Sequence, residues 1–138
     1  MVLIWRYAAI VLWCAVLFVG TCTVSASLLI HHFTIDFQLS SPRWSELFKL
    51  DIIPRSDTFI IQKIGHFTGF FILSLLMTRN GRQPKGLIYA VLYALLTEIL
   101  QLFFSRDGRL FDVVIDSAGI FLAYGLCRLR LNRRRMRP

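Results

Sequence analysis

The chain alternates long apolar runs with short charged ones. The first apolar run extends from Val2 to Ile30 and is broken only by Arg6. At about 1.5 Å of rise per residue it is long enough to cross a bilayer with some tilt. The second is Phe59 to Met77, the third Gly86 to Phe104, and the fourth Leu110 to Leu126 or Leu129. Runs of this length predict transmembrane helices rather than the shorter core helices of a soluble domain. The expected architecture is an all-α integral membrane bundle of four transmembrane helices, at about 3–30, 59–78, 86–104 and 110–129. No internal repeat and no second unit interrupts this pattern, so residues 1–138 read as a single membrane domain. The first run could instead be a signal peptide with Val24-Ser25-Ala26 as a weak cleavage site. It is too long for the apolar region of one, so an uncleaved helix is expected, with Trp5, Arg6 and Tyr7 at headgroup level.

The connections differ in character. Residues 31–57, HHFTIDFQLSSPRWSELFKLDIIPRSD, are mixed and punctuated by Pro42 and Pro54. Ser41-Pro42 followed by Trp44, Leu47, Phe48 and Leu50 predicts a short amphipathic helix in the interface, or a loop with a few aromatic anchors. Residues 79–85, RNGRQPK, form a tight basic turn, and 105–109, SRDGR, a second short one.

Charge refines this picture. The 138 residues include 16 Lys and Arg against 8 Asp and Glu, yet 56% are hydrophobic. The mean hydropathy of +0.60 lies above the soluble average. The cations cluster between the apolar runs, as in a membrane protein, and no basic helix with interleaved aromatics points to nucleic acid. The 79–85 turn and the tail, with Arg128, Arg130, Arg133, Arg134, Arg135 and Arg137, are nearly free of acids. The 31–57 loop carries Arg43, Lys49 and Arg55 against Asp36, Glu46, Asp51 and Asp57. The positive-inside rule then places both termini, the 79–85 turn and the basic tail at 130–138 in the cytoplasm, with the 31–57 loop outside. The two arginines of the 105–109 turn oppose this mildly. Cys14, Cys22 and Cys127 lie in apolar runs without metal-type spacing and read as small buried hydrophobes.

The remaining signal is polar residues inside apolar runs. Charges are costly in hydrocarbon and normally face a protein interior or a wet cavity. With the orientation above, Lys63 and His66 fall about 6 and 10 Å below the outer end of the second helix. Glu98 and Gln101 fall about 9 and 4–5 Å below that of the third, and Asp112 and Asp116 about 3 and 9 Å below that of the fourth. Three helices thus place polar groups at matching depths. Lys63 and His66 are i, i+3, as are Glu98 and Gln101. Asp112 and Asp116 are i, i+4, with Arg109 one turn earlier and Gly119 continuing the face. Gly65 and Gly69 have the small-xxx-small spacing that permits close helix approach. The pattern predicts an outward polar pocket between the second, third and fourth helices.

Three functions fit such a pocket. His66 could act as base or nucleophile, oriented by Glu98 or Asp116. Lys63 and Arg109 could hold a phosphate or carboxylate, with Gln101 and Asp112 receiving hydroxyls or amines. Alternatively, the ions form a network that fixes helix register. No HExxH, nucleophile elbow or glycine-rich phosphate loop is present, and no metal or cofactor is expected. His31 and His32 do not share a helix face and read as surface residues.

Lys63-x-x-His66-Phe67, Glu98-x-x-Gln101, Gly108-Arg109 and Asp112-x-x-x-Asp116-x-x-Gly119, in this order on successive spans, resemble the VanZ-like family. These are small membrane proteins named for a teicoplanin-resistance accessory protein, and the resemblance covers roughly residues 57–125. It implies that Lys63, His66, Glu98, Gln101, Arg109, Asp112 and Asp116 are signature residues. It further implies a role at the bacterial cell envelope linked to glycopeptide resistance. The expected function is binding or modifying an outer-leaflet amphiphile, with a membrane lipid or lipid-linked molecule as partner. An intramembrane enzyme acting on a lipid-linked phosphate or acyl group is one alternative, and an ion-pair scaffold in a membrane complex is another. The chain departs from the family pattern at Gln62, often charged, at Phe70, often tyrosine, and at Asp116, often asparagine.

Overall fold

The computed structural model describes residues 2–25, 28–29, 32–49 and 57–136. His31, Leu50, Pro54 and Ala26 of the candidate cleavage site lie outside these residues. The described chain is all-helical: α1 (Val2–Cys22), a 3-10 turn (Trp44–Phe48), α2 (Asp57–Met77), α3 (Lys85–Phe103) and α4 (Leu110–Arg135). All four α-helices are long and apolar enough to cross a membrane. The protein is a multi-pass integral membrane protein.

Two helix boundaries differ from the pattern reading. Helix α1 stops at Cys22. There the Thr23 hydroxyl donates back to the Val19 carbonyl at 2.6 Å, and the Val24 N–H donates to the carbonyl of Asp36. A polar Thr-Cys-Thr step and a long-range backbone bond thus end a helix that hydropathy alone would continue. Helix α4 runs on through the basic tail to Arg135. Leucine and arginine favour helix, and arginines in the last turn complement the negative end of the helix dipole. The expected amphipathic helix after Pro42 is a single 3-10 turn, with Leu47 buried and Trp44 and Phe48 exposed.

Helices α2 and α3 close with the same device. Arg79 and Ser105 adopt left-handed conformations (φ 53° and 55°) just past the helix ends. The Asn80 N–H returns to the Leu75 carbonyl, and the Arg106 N–H to that of Gln101. These are Schellman closures made without glycine, which costs local strain and fixes the chain direction sharply. The second one aims Arg106 back over the bundle.

The closest packing is between α2 and α4. A Cβ at Gly119 would collide with the Phe67 carbonyl oxygen, so only glycine lets these backbones meet. The Ser74 hydroxyl also crosses to the Ile120 carbonyl at 2.9 Å. Phe70, Leu73, Ala90, Ala94 and Ile120 are fully buried and form the apolar core, with Leu17 at its edge. Among the described helices, α1 packs against α2 and α3. It is fixed by the Trp13 indole N–H donating to the Gly69 carbonyl (2.9 Å) and by the Tyr93 hydroxyl donating to the Cys14 carbonyl (2.6 Å). The pair Gly65 and Gly69 does not act as one contact face. Gly69 meets Leu17 of α1, whereas nothing lies within 4 Å of where a Gly65 side chain would begin.

The two ends of the bundle are distinct. Arg6 donates to the Met77 carbonyl and to the Gln83 side chain, and Gly81 abuts Cys127. The start of α1, the 79–85 turn and the end of α4 therefore share one basic end. At the opposite end the 33–48 segment folds over the helices. Phe18, Phe37 and Phe104 form a three-ring cluster with centroids 5.5–5.8 Å apart. The Ser40 N–H donates to the Phe103 carbonyl, and the Ser105 hydroxyl to that of Gln38.

Candidate functional site

The seven polar residues singled out from the sequence all converge near the 105–109 end of α2, α3 and α4. They sort into two layers. In the deeper layer His66 of α2 lies between two carboxylates. Its Nδ1 is 3.2 Å from Asp116 Oδ1 on α4 and 3.7 Å from Glu98 Oε1 on α3. Glu98 and Asp116 are fully buried, and the His66 side chain is 4% exposed. Glu98 is held at both oxygens. Gln101 Nε2 donates to Oε1 at 2.9 Å, and the backbone N–H of Arg109 donates to Oε2 at 2.8 Å. The second bond depends on the chain entering α4 extended at Arg109 (φ −137°, ψ 134°). Gly108 makes that approach possible, since a side chain there would strike the Glu98 carbonyl.

In the shallower layer Lys63 of α2 forms an ion pair with the buried Asp112 of α4. This pair is the floor of a polar vestibule of about 430 Å³. Arg43, Lys63, Arg106 and Arg109 face Asp107 and Asp112 around it, with Val24, Phe59, Gln62 and Ser105 completing the wall. Arg43 reaches Asp107 at 3.1 Å and Arg109 reaches it at 3.5 Å. Arg106 donates to the Thr23 carbonyl at 3.0 Å. These links cross from loop to loop, so the arginines are placed rather than trailing in solvent. Four cations around two carboxylates suit a planar or tetrahedral anion, which arginine forks bind in bidentate fashion.

A second chamber adjoins the first. Between α1 and α2 lies a mostly apolar cleft of about 360 Å³, lined by Trp13, Val16, Leu17, Gly20, Gly65 and Ile72 among others. Gln62 lines both chambers, and His66 lines the cleft. The absent side chain at Gly65 therefore leaves open the wall that His66 borders. The His66 Nε2, on the ring edge away from the carboxylates, is buried and makes no hydrogen bond. Such a nitrogen, in a ring whose other nitrogen is held by a carboxylate, is positioned for proton transfer or for a ligand.

Three features were not singled out from the sequence as site residues. Arg43 comes from the loop 64 positions before its partner Asp107, and no local pattern announces that contact. Arg106 read only as part of a short turn, and Gln62 only as a departure from a family pattern. The Phe70 ring is fully buried against Tyr93, with centroids 6.3 Å apart. Proximity of His66, Glu98 and Asp116 also creates a possible ligand set, with one donor atom from each lying within 4.8 Å of the others.

A bundle of four spanning helices with a buried histidine–carboxylate cluster beneath a cationic vestibule defines a small polytopic membrane protein with an intramembrane polar site. The chain belongs to the VanZ/LLP1 family, whose sequence model matches residues 4–131. It is similar to the uncharacterized membrane protein YwnJ of Bacillus subtilis (strain 168), with 36% identity over 128 residues, covering 88% of this chain and 89% of the relative. No solved structure matches the chain.

Proposed function

We propose that the protein binds an amphiphile with a phosphate- or carboxylate-bearing headgroup from the outer leaflet of a bacterial plasma membrane. The observation that carries this reading is the junction at Gln62. A cationic vestibule and an apolar cleft share that residue as a common wall. A free anion would need only the first chamber and a neutral lipid only the second; the pair suits a molecule with both parts. The headgroup lies against Lys63, Arg106 and Arg109, and an acyl or isoprenoid chain lies between α1 and α2. The outward orientation is supported by the separation of the two ends. The basic 79–85 turn and the arginines of α4 gather at the end opposite the vestibule, and such clusters are retained in the cytoplasm.

The reading is tested by native mass spectrometry of lipids retained by the purified protein. Lipids with a net negative phosphate headgroup are expected to be enriched over zwitterionic ones in the wild type, with the enrichment lost in Arg109→Ala and Arg106→Ala. Equal retention of anionic and zwitterionic lipids by the wild type would overturn it. Binding of a phosphate-bearing envelope amphiphile also fits the glycopeptide-resistance role that the family name implies. Teicoplanin susceptibility of cells carrying the wild type or Arg109→Ala tests that link.

The buried, unpartnered His66 Nε2 favours a second reading, an intramembrane enzyme acting on a lipid-linked ester. On that reading His66→Ala abolishes function while the protein still inserts and accumulates. On the binding reading alone it is mild.

A further inference from the structure

We infer that His66, Glu98 and Asp116 form a site for one divalent transition-metal ion of the zinc class. This inference does not rest on the amphiphile reading.

The first argument is geometric. Zinc bonds of about 2.0–2.1 Å to imidazole nitrogen and about 2.0–2.2 Å to carboxylate oxygen, arranged tetrahedrally, put neighbouring donors roughly 3.3–3.5 Å apart. The His66 Nδ1 lies 3.2 Å from Asp116 Oδ1 and 3.7 Å from Glu98 Oε1. All three donor atoms lie within 4.8 Å of one another. The two edges at His66 are therefore close to those of such a polyhedron, and side-chain rotations that bring the Glu98 and Asp116 oxygens together would close it. They arise from three helices, so the set is fixed by the bundle rather than by one flexible loop.

The second argument is charge. Glu98 and Asp116 are fully buried within the spans, at a depth where unpaired carboxylates are costly. Lys63 is committed to Asp112. Arg109 touches Glu98 through its backbone N–H, and its guanidinium turns to Asp107. Arg106 lines the vestibule and donates to the Thr23 carbonyl. With both carboxylates ionised, even a protonated imidazole leaves the three-residue set one charge negative. A divalent ion on two carboxylates and a neutral imidazole makes it neutral.

The third argument is the support around the donors. Metal-binding carboxylates are ordinarily fixed by hydrogen bonds from outer residues. Glu98 has this on both oxygens, from Gln101 and from the Arg109 N–H. One imidazole nitrogen and two carboxylate oxygens suit zinc, manganese or iron(II) rather than thiolate-seeking copper(I). Three protein donors also leave a fourth position open, as in catalytic zinc sites.

The test is metal content and cobalt(II) spectroscopy on the full-length detergent-purified protein. After stripping with chelator and reloading with zinc, the wild type is expected to retain about one ion per chain. Cobalt(II) is expected to give the intense visible absorption of a four-coordinate ion, displaced by equimolar zinc. Glu98→Gln and Asp116→Ala are expected to lower retention at least tenfold, whereas His32→Ala, outside the donor set, keeps it. The wild-type result suffices alone should the site variants fail to fold. Substoichiometric zinc in the reloaded wild type, or a six-coordinate cobalt spectrum unchanged by zinc, overturns the proposal. So does undiminished retention in folded Glu98→Gln and Asp116→Ala.

Discussion

Helices α4 and α1 both cross the membrane, yet they are seated in opposite ways. Helix α4 is locked against α2 by a backbone approach at Gly119 and by Asp112 and Asp116, each engaging a cation or imidazole on α2. Helix α1 presents Leu3, Ile4, Trp5, Val11, Leu12 and Val16 outward and is fixed by two hydrogen bonds near its middle. The difference shows what decides helix placement where lipid is the solvent. Apolar side chains gain little by leaving lipid for a neighbouring helix, so small residues and polar groups govern close packing. Helix α4 has both at the α2 interface. Helix α1 meets α2 at Gly69 and Trp13, and beyond that contact the two helices part to leave the apolar cleft.

Perturbing one helix at a time tests this comparison. The largest effect is expected from Gly119→Leu, which drives a side chain into the Phe67 carbonyl. Overpacking against backbone should cost about 3 kcal/mol, the upper end of such changes, seen as loss of monodisperse protein on heated size-exclusion chromatography. Tolerance of that change would break the distinction between the helices. Asp116→Ala removes the partner of His66 Nδ1 and should cost about 2–3 kcal/mol in thermal or denaturant unfolding. Trp13→Phe deletes one of the two bonds that hold the middle of α1. A loss of about 1 kcal/mol is expected, with amide-exchange protection reduced in α1 but not in α4. Gly65→Ala should change stability by less than about 0.5 kcal/mol apart from the gain in helix propensity, because the added methyl group enters the open cleft.

Much of this arrangement was legible before the fold was known. The matched depths of Lys63, His66, Glu98, Asp112 and Asp116 follow from helical rise and from where each apolar run begins. The structure pairs Lys63 with Asp112 and His66 with Asp116, one helical turn apart on both helices. Long apolar stretches between charged turns located the four spans. Less legible was anything set by distant backbone bonds. The end of α1 depends on Val24 meeting Asp36, and the vestibule wall depends on Arg43 meeting Asp107. The apolar cleft was invisible for a different reason. Gly65 and Gly69 share a spacing that suits close approach, but Leu17 packs over only one of them. A spacing motif specifies a face and leaves open whether a neighbour covers all of it. The convergence of His66, Glu98 and Asp116 was legible from their matched depths, although no local motif marks them as metal donors.

The central claim is that vestibule and cleft form one amphiphile site meeting at Gln62. The most direct measurement compares nanodisc-free detergent affinities for phosphate monoesters of short and long alkyl chains. The proteins compared are the wild type, Gly65→Leu and Arg109→Ala. The account predicts that the wild type favours the long chain over the short one and phosphate over a neutral headgroup. Gly65→Leu should abolish the chain-length preference and keep the phosphate preference. Arg109→Ala should weaken phosphate binding by about tenfold, the worth of one charge-assisted hydrogen bond, and keep the chain-length preference. A chain-length preference undiminished by Gly65→Leu would contradict the account.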